Sequence, residues 1–438
     1  MEKTYDTYKD SGIAWIGNIP SGWLTIKNKY LYSLLYSGGT PTASEGKFYT
    51  EEGCPFVAIS DMSTTEYVTE TKKYLTEDGI ANKNLKILPS GTILYSIYAT
   101  VGVVSELMID ATISQAMLAI ELKSKINKSY YKYNLKAMKD YIFSQANGNT
   151  QFNLNAEKVS NFVFCFPPLS EQQAIATYLN KKCGEIDSLI SLQEEMISEL
   201  QAYKQSVITE AVTKGLDSNV PMKDSGVEWI GMIPEGWKIQ RLRTLGNCQN
   251  GISKGGEYFG DEFDFPFVNY TDAYKNIDVP YPEGRANSTE EDRKQYSLIE
   301  GDILFTRTSE TIDEIGYAST CTQTIPNAVF SGFLIRFRPT GKELYYGFSK
   351  YYFRSSIHRA FFVKEMNLVT RASLSQNLLK NLPTLIPPLS EQQAIASYLD
   401  EKTSQIDSLI AIKQEKITEL KDYKKSIIYE YVTGKKKV

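Results

Sequence analysis

Apolar and polar positions alternate along this chain in two long helical stretches and two mixed blocks. From Ile186 the apolar residues recur at three- and four-residue steps, through Leu189, Met196, Leu200, Tyr203 and Val207. A second stretch has Ile406, Leu409, Leu420, Tyr423 and Ile427. Ile190, Ile197, Ile410 and Ile417 widen both stripes, and Gln193, Lys413 and Lys416 interrupt them. That period predicts two amphipathic helices of about 40 residues, each about 60 Å long at 1.5 Å per residue. Ser170-Glu171-Gln172-Gln173 and Ser390–Gln393 fit a capping box at their starts, and Gly215 and Gly434 are expected stops. A lone helix of that length cannot hide its stripe, so the two are expected to pack antiparallel as a coiled coil.

The remaining blocks carry β-branched and aromatic runs. Strands are expected at Pro55–Ser60, Thr92–Tyr98, Gln115–Leu122 and Val159–Phe166, with a helix over Ser129–Gln145. The second block echoes them: strands at Phe265–Asn269, Asp302–Thr306, Val329–Phe337 and Leu382–Ile386, and a helix over Glu343–Phe362.

The chain is a duplication. Lys9–Trp23 (KDSGIAWIGNIPSGW) returns as Lys223–Trp237 (KDSGVEWIGMIPEGW), and Pro167–Asn180 (PPLSEQQAIATYLN) returns as Pro387–Asp400 (PPLSEQQAIASYLD). Between the repeats lie the diverged stretches Leu24–Phe166 and Lys238–Ile386. The expected architecture is α+β and pseudo-twofold: two globular mixed α/β domains in tandem, separated by the helices. The boundaries are 1–166, 167–215 (first helix), 216–386, 387–434 (second helix) and a basic tail, 435–438.

Composition narrows the chemistry. The five cysteines form no CxxC, which argues for a reducing compartment and against a zinc knuckle. The one histidine, His358, sits in an aromatic helical run and is expected to be structural. Neither a glycine-rich dinucleotide turn nor a phosphate loop is present, nor an NPPY-type methyltransferase loop, so no catalytic centre is expected. No apolar run reaches membrane-spanning length, and the N-terminal residues lack a signal-peptide core, so a cytoplasmic location is expected.

The net charge of −4 argues mildly against nucleic acid, but its distribution removes the objection. Each diverged stretch is +1, while Pro167–Pro221 is −4. All ten arginines fall in Lys238–Ile386. Arginine is the commonest bidentate reader of guanine, so two readers of unequal chemistry are expected.

The repeated PPLSEQQAIA with its long helix, and the WIG.IP.GW lead-in, resemble the DNA-specificity (S) subunit of type I restriction-modification systems. So do Gly38-Gly39-Thr40-Pro41, Gly148–Leu154 and Gly301–Glu310. The resemblance covers essentially the whole chain. It implies two target-recognition domains joined by a helical ruler and a split DNA target. It also implies two methyltransferase subunits, and two restriction/translocase subunits in the full complex. S-adenosylmethionine, ATP and Mg²⁺ would belong to those partners, and this chain would be non-catalytic. The candidate DNA contacts are Thr40, Tyr98, Thr100, Asn149, Thr150, Gln151 and Asn153 in the first reader. In the second they are Arg307, Thr308, Ser309, Arg371 and Ser373. A standalone tandem DNA-binding or structural interaction protein is the alternative.

Overall fold

The structure is a computed structural model that describes residues 4–42, 46–63, 65–98, 100–144, 154–309, 315–365 and 372–438. The chain forms two compact units, Met1–Gln193 with Glu415–Val438, and Glu194–Gln414. The division falls within the two long helices rather than at their ends.

In the first unit the central sheet has the order Tyr32–Ser37, Met117–Leu122, Ile93–Ser96, Val104–Leu107, Tyr67–Val68. Its first four strands are antiparallel and the last pairs in parallel. Side chains alternate across it, as the two-residue period of a strand demands. Ile93, Tyr95, Leu118 and Ile120 pack with Tyr131, Leu135, Met138 and Ile142 of the helix Lys128–Ser144. Leu94, Met117 and Ala119 pack on the other side with Val57, Met62 and Leu107. Both faces are covered, which is why these strands are almost uniformly apolar. A smaller sheet runs Thr112–Ile113, Cys54–Val57, Tyr74–Leu75, Tyr49–Thr50, and Leu24–Lys27 pairs with Val163–Phe166.

The second unit repeats this plan on a different sequence. Gly246–Asn250, Leu334–Pro339, Ile303–Thr306 and Ala318–Thr320 form an antiparallel sheet in the corresponding order. Ile303, Phe305, Ile335 and Phe337 face Phe348, Tyr352 and Phe353, whereas Leu304 and Leu334 face Val268, Leu298 and Phe330. Phe265–Val268 lies between Arg285–Ala286 and Val329–Phe330, and Lys238–Arg241 pairs with Pro383–Ile386.

Several local expectations need correction. The strand over Pro55–Ser60 ends at Val57, and Ile59–Met62 is a helical turn with Asp61 bonded back to the Ala58 amide. Val159 lies in the short helix Ala156–Ser160, capped by Asn155, rather than in a strand. Val329–Phe337 is two strands parted by a turn at Ser331–Phe333. The helix over Glu343–Phe362 starts at Tyr346, stops at Arg354 because Ser355 is extended (ψ 157°), and resumes at Arg359.

The long helices are Leu169–Lys214 and Leu389–Val432. Neither uses a capping box. Each starts directly after its double proline, with the carbonyl of Pro168 or Pro388, two residues before the serine, accepting the amides of Glu171 and Gln172, or Glu391 and Gln392, at 2.9 and 3.0 Å. Ser170 and Ser390 are exposed. The conserved-looking polar residues do other work. Gln172, buried, accepts from the Asn127 amide (3.1 Å) and donates to the Pro167 carbonyl (2.9 Å). Gln392 accepts from the Tyr345 amide (2.8 Å) and donates to the carbonyls of Glu343 (2.7 Å) and Pro387 (2.9 Å). Glu171 and Glu391 each accept the indole N–H of the lead-in tryptophan, Trp23 at 3.0 Å and Trp237 at 2.8 Å. The two repeated motifs are thus halves of one joint, formed once in each unit. Gly215 and Gly434 end the helices at φ +77° and +72°.

The seam also differs from the expected one. Burial follows a four-three alternation through Cys183, Ile186, Ile190, Gln193, Ile197, Leu200, Lys204 and Val207, and through the residues 220 positions on, Thr403 to Ile427. Leu189, Tyr203, Leu409 and Tyr423 are exposed, as is Lys416. Antiparallel packing is present within each unit. In the second, Lys204 pairs with Asp407 at 2.7 Å; in the first, Lys424 pairs with Asp187 at 2.6 Å. These are the same two positions of the repeat with the helices exchanged, so each unit builds the same pair from its own helix ends. In the first unit the C-terminal residues lie on the N-terminal segment: the Tyr429 hydroxyl donates to the Trp15 carbonyl (3.0 Å), and the Lys435 ammonium donates to the Asn18 carbonyl.

His358 is fully enclosed against Tyr352 and Phe353, with Nε2 3.1 Å from the Tyr352 carbonyl. Burial, opposed by that carbonyl and aided by Arg359, pushes its pKa down to about 3. The unfolded chain therefore binds a proton near pH 6.5 that the folded chain refuses. Stability is expected to fall as pH drops below about 6.5, by about 2 kcal/mol at pH 5 for this group. Urea titrations at pH 7.5 and 5 check this, since His358→Gln should flatten that part of the slope.

Candidate nucleic-acid interface

The two readers build the same site from four segments. The strand Ile93–Ser96 starts from Gly91 (φ +89°), and Ile303–Thr306 starts from Gly301 (φ +89°). In the second reader the following Asp302 is fully buried and holds Arg338 through two bonds of 2.7 and 2.6 Å, so this part of the motif is structural. At the other end the Ser96 hydroxyl accepts the Val103 amide, and the Thr306 hydroxyl accepts the Tyr317 amide, each at 2.8 Å. The chain then leaves the sheet as Ile97-Tyr98 or Arg307-Thr308.

Those exits are bonded to two further segments. The Ile97 amide donates to Ala116 (2.9 Å) and the Arg307 amide to Phe333 (2.9 Å), both in the turn between the smaller sheet and the central one. The Ile97 carbonyl accepts from Leu154 (3.2 Å) and the Arg307 carbonyl from Leu374 (2.7 Å). Leu154 and Leu374 therefore hold one structural position, as their spacing of 220 residues suggests. In the second reader Thr308 pairs with Ser373 and Ser309 with Ala372.

The fourth segment is the glycine turn. A Cβ on Gly38 would lie 2.0 Å from the Ile113 carbonyl oxygen, and one on Gly251 2.1 Å from that of Ser331. Only glycine permits this approach. It brings Gly38 and Gly251, each two residues before Thr40 or Ser253, against the same turn in the two readers.

The structure thus links Thr40, Tyr98 and Thr100 in the first reader and Arg307, Thr308, Ser309 and Ser373 in the second. Tyr98 is 39% exposed and is not core; Thr100 and Ser373 are exposed, and Thr40 is half-buried. Arg307 is half-buried, and its Nη1 donates to the Gly332 carbonyl at 3.4 Å. Asn149, Thr150, Gln151, Asn153 and Arg371 lie outside the described residues. Missed at the level of sequence were Gln115, Ser253 and Phe333. Their places follow from the backbone bonds of that turn and from the approach of Gly332 to Ser253, contacts between residues distant in the sequence. No group of three or more His, Cys, Asp or Glu side chains among the described residues is arranged to hold a metal, and none of the described helices is long and apolar enough to cross a membrane.

The family described as the type I restriction modification DNA specificity domain matches this sequence twice, over residues 20–202 and 234–422. The chain belongs to that family. Its duplicated reader and helix are therefore those of a specificity subunit. Among relatives, the MjaX specificity subunit, a putative one from Methanocaldococcus jannaschii, is 25% identical across 97% of this chain and 96% of its own length. The MjaIX specificity subunit of the same organism is 25% identical across 68% and 69%. A solved structure described in terms of complex assembly and conformational transition of the type I R-M system aligns with a TM-score of 0.69 at 17% identity. It covers 94% of this specificity subunit and 98% of that chain. An HsdS subunit from Thermoanaerobacter tengcongensis aligns at 0.50, also with 17% identity, covering 95% and 98%. At that identity the solved structures speak for the fold.

Proposed function

We propose that this specificity subunit reads a bipartite duplex target, one half-site per reader, with the long helices setting the unread gap. The observation that carries the reading is the duplicated four-segment site: the same backbone frame presents Ile97, Tyr98 and Thr40 in one copy and Arg307, Thr308 and Ser253 in the other. One frame with different side chains suits two different half-sites. Two methyltransferase subunits bind the two equivalent halves of the chain, and two restriction/translocase subunits join in the full complex. S-adenosylmethionine, ATP and Mg²⁺ act on those partners, in the cytoplasm. The family membership leaves the standalone alternative without support.

The test is to express the chain with its methyltransferase and sequence the methylome. A split motif with two defined halves is expected, while the purified chain with S-adenosylmethionine and DNA transfers no methyl groups. A continuous motif, or none, would sink the reading. Within it, Arg307→Ala is expected to relax one half-site only. The loss is about 1–3 kcal/mol at one position if the guanidinium reads guanine. Uniform weakening of both halves would mark Arg307 as a phosphate contact instead.

A further inference from the structure

Phe333 is 60% exposed, a large apolar side chain in the middle of the second reader's site. Its turn is held on every side. The Ser331 amide bonds to Val268 (2.9 Å), the Gly332 amide to Ile252 (2.7 Å) and the Phe333 amide to the Ser331 hydroxyl (3.2 Å). The Phe333 carbonyl takes the Arg307 amide, and the Arg307 guanidinium lies against the Gly332 carbonyl. The backbone that carries the ring is therefore fixed before any ligand arrives, and it is bonded to the backbone of the residue that carries the guanidinium. In the first reader the same place holds Ala116, with Gln115 exposed next to it.

We infer that Phe333 is a specificity-determining residue that contacts the 5-methyl group of a thymine next to the base read by Arg307. The inference rests on the proposed DNA reading. An arginine that reads a base through two donors does so on the guanine edge in the major groove. A rigid neighbour then meets the major-groove edge of the adjacent pair. The apolar feature on that edge is the thymine methyl. An exposed phenyl ring gains by covering it, because both surfaces leave water. The first reader has no large apolar side chain there, so its half-site carries no such methyl requirement at this position.

The test uses the complex of this chain with its methyltransferase, on duplexes carrying the motif found by methylome sequencing. Each thymine of either half-site, on either strand, is replaced in turn by uracil, which lacks only the methyl. One replacement in the half-site relaxed by Arg307→Ala is expected to lower kcat/KM about fourfold, the worth of one methyl taken from water. Phe333→Ala is expected to abolish that fourfold difference and leave the other half-site unchanged. Phe333→Leu, which keeps an apolar tip, should retain part of it. The inference fails if wild type tolerates every uracil in that half-site, or if the half-site holds no thymine. It fails too if Phe333→Ala stays as sensitive as wild type. DNA bending lost in Phe333→Ala, with uracil having no effect, would make the ring a wedge between base pairs and also overturn it. If wild type modifies no defined motif, it is the DNA reading beneath the inference that has failed.

Discussion

Gln392→Ala is expected to destabilise the second unit by about 3 kcal/mol, while Gln393→Ala next to it changes stability by less than about 0.5 kcal/mol. Gln392 is fully buried and bonds three backbone groups, the Tyr345 amide and the Glu343 and Pro387 carbonyls. Truncation strands all three, and each buried polar group left unpaired costs about 1–3 kcal/mol, lessened where water enters. Gln393 is exposed. The pair of variants separates two meanings of the SEQQ motif. A capping box would make Ser390 and Gln393 the sensitive positions; the joint makes it Gln392. Denaturant titration of the two alanine variants decides, and a Gln393 effect equal to that of Gln392 would restore the cap. Gln172→Ala should act in the same direction in the first unit, more weakly, because it strands two groups rather than three.

A second large effect is expected on specificity. Inserting one heptad into both long helices, after Gln193 and after Lys413, should lengthen the unread gap by about three base pairs. Seven residues add about 10 Å of helix, and a base-pair step is about 3.4 Å. The half-site sequences should not change. Seven is the right unit because burial follows a four-three alternation, so a full heptad returns every seam residue to its place, including Lys204 and Lys424 opposite their aspartates. A four-residue insertion turns the following seam out of phase and should weaken assembly. Methylome sequencing reads the result directly. An unchanged gap with a functional variant, or altered half-sites, would remove the helices as the spacing device.

Sequence alone determined much here. The two near-identical repeats established the duplication, and the apolar period with its closing glycines established the helices and their ends. The continuous apolar runs at Ile93–Ser96 and Ile303–Thr306 marked the buried strands, and the concentration of arginine marked the second reader as chemically distinct. These are local signals, written in neighbouring residues. The tertiary structure decided what depends on a partner far along the chain. Leu189 and Ile190 are both apolar, and which one enters the seam is settled only by the opposing helix, which takes Ile190 at 9% exposure and leaves Leu189 at 47%. Lys204 looks like a break in the stripe until Asp407 faces it. Gln172 and Gln392 look like surface residues until the backbone groups they satisfy arrive from outside their own helices. Phe333 reads as one more strand residue until Gly332 is drawn against Ile252, bending the chain and turning the ring outward. In each case the deciding contact is non-local, and a side chain's burial and its hydrogen-bond partner are properties of the assembled surface rather than of the residue.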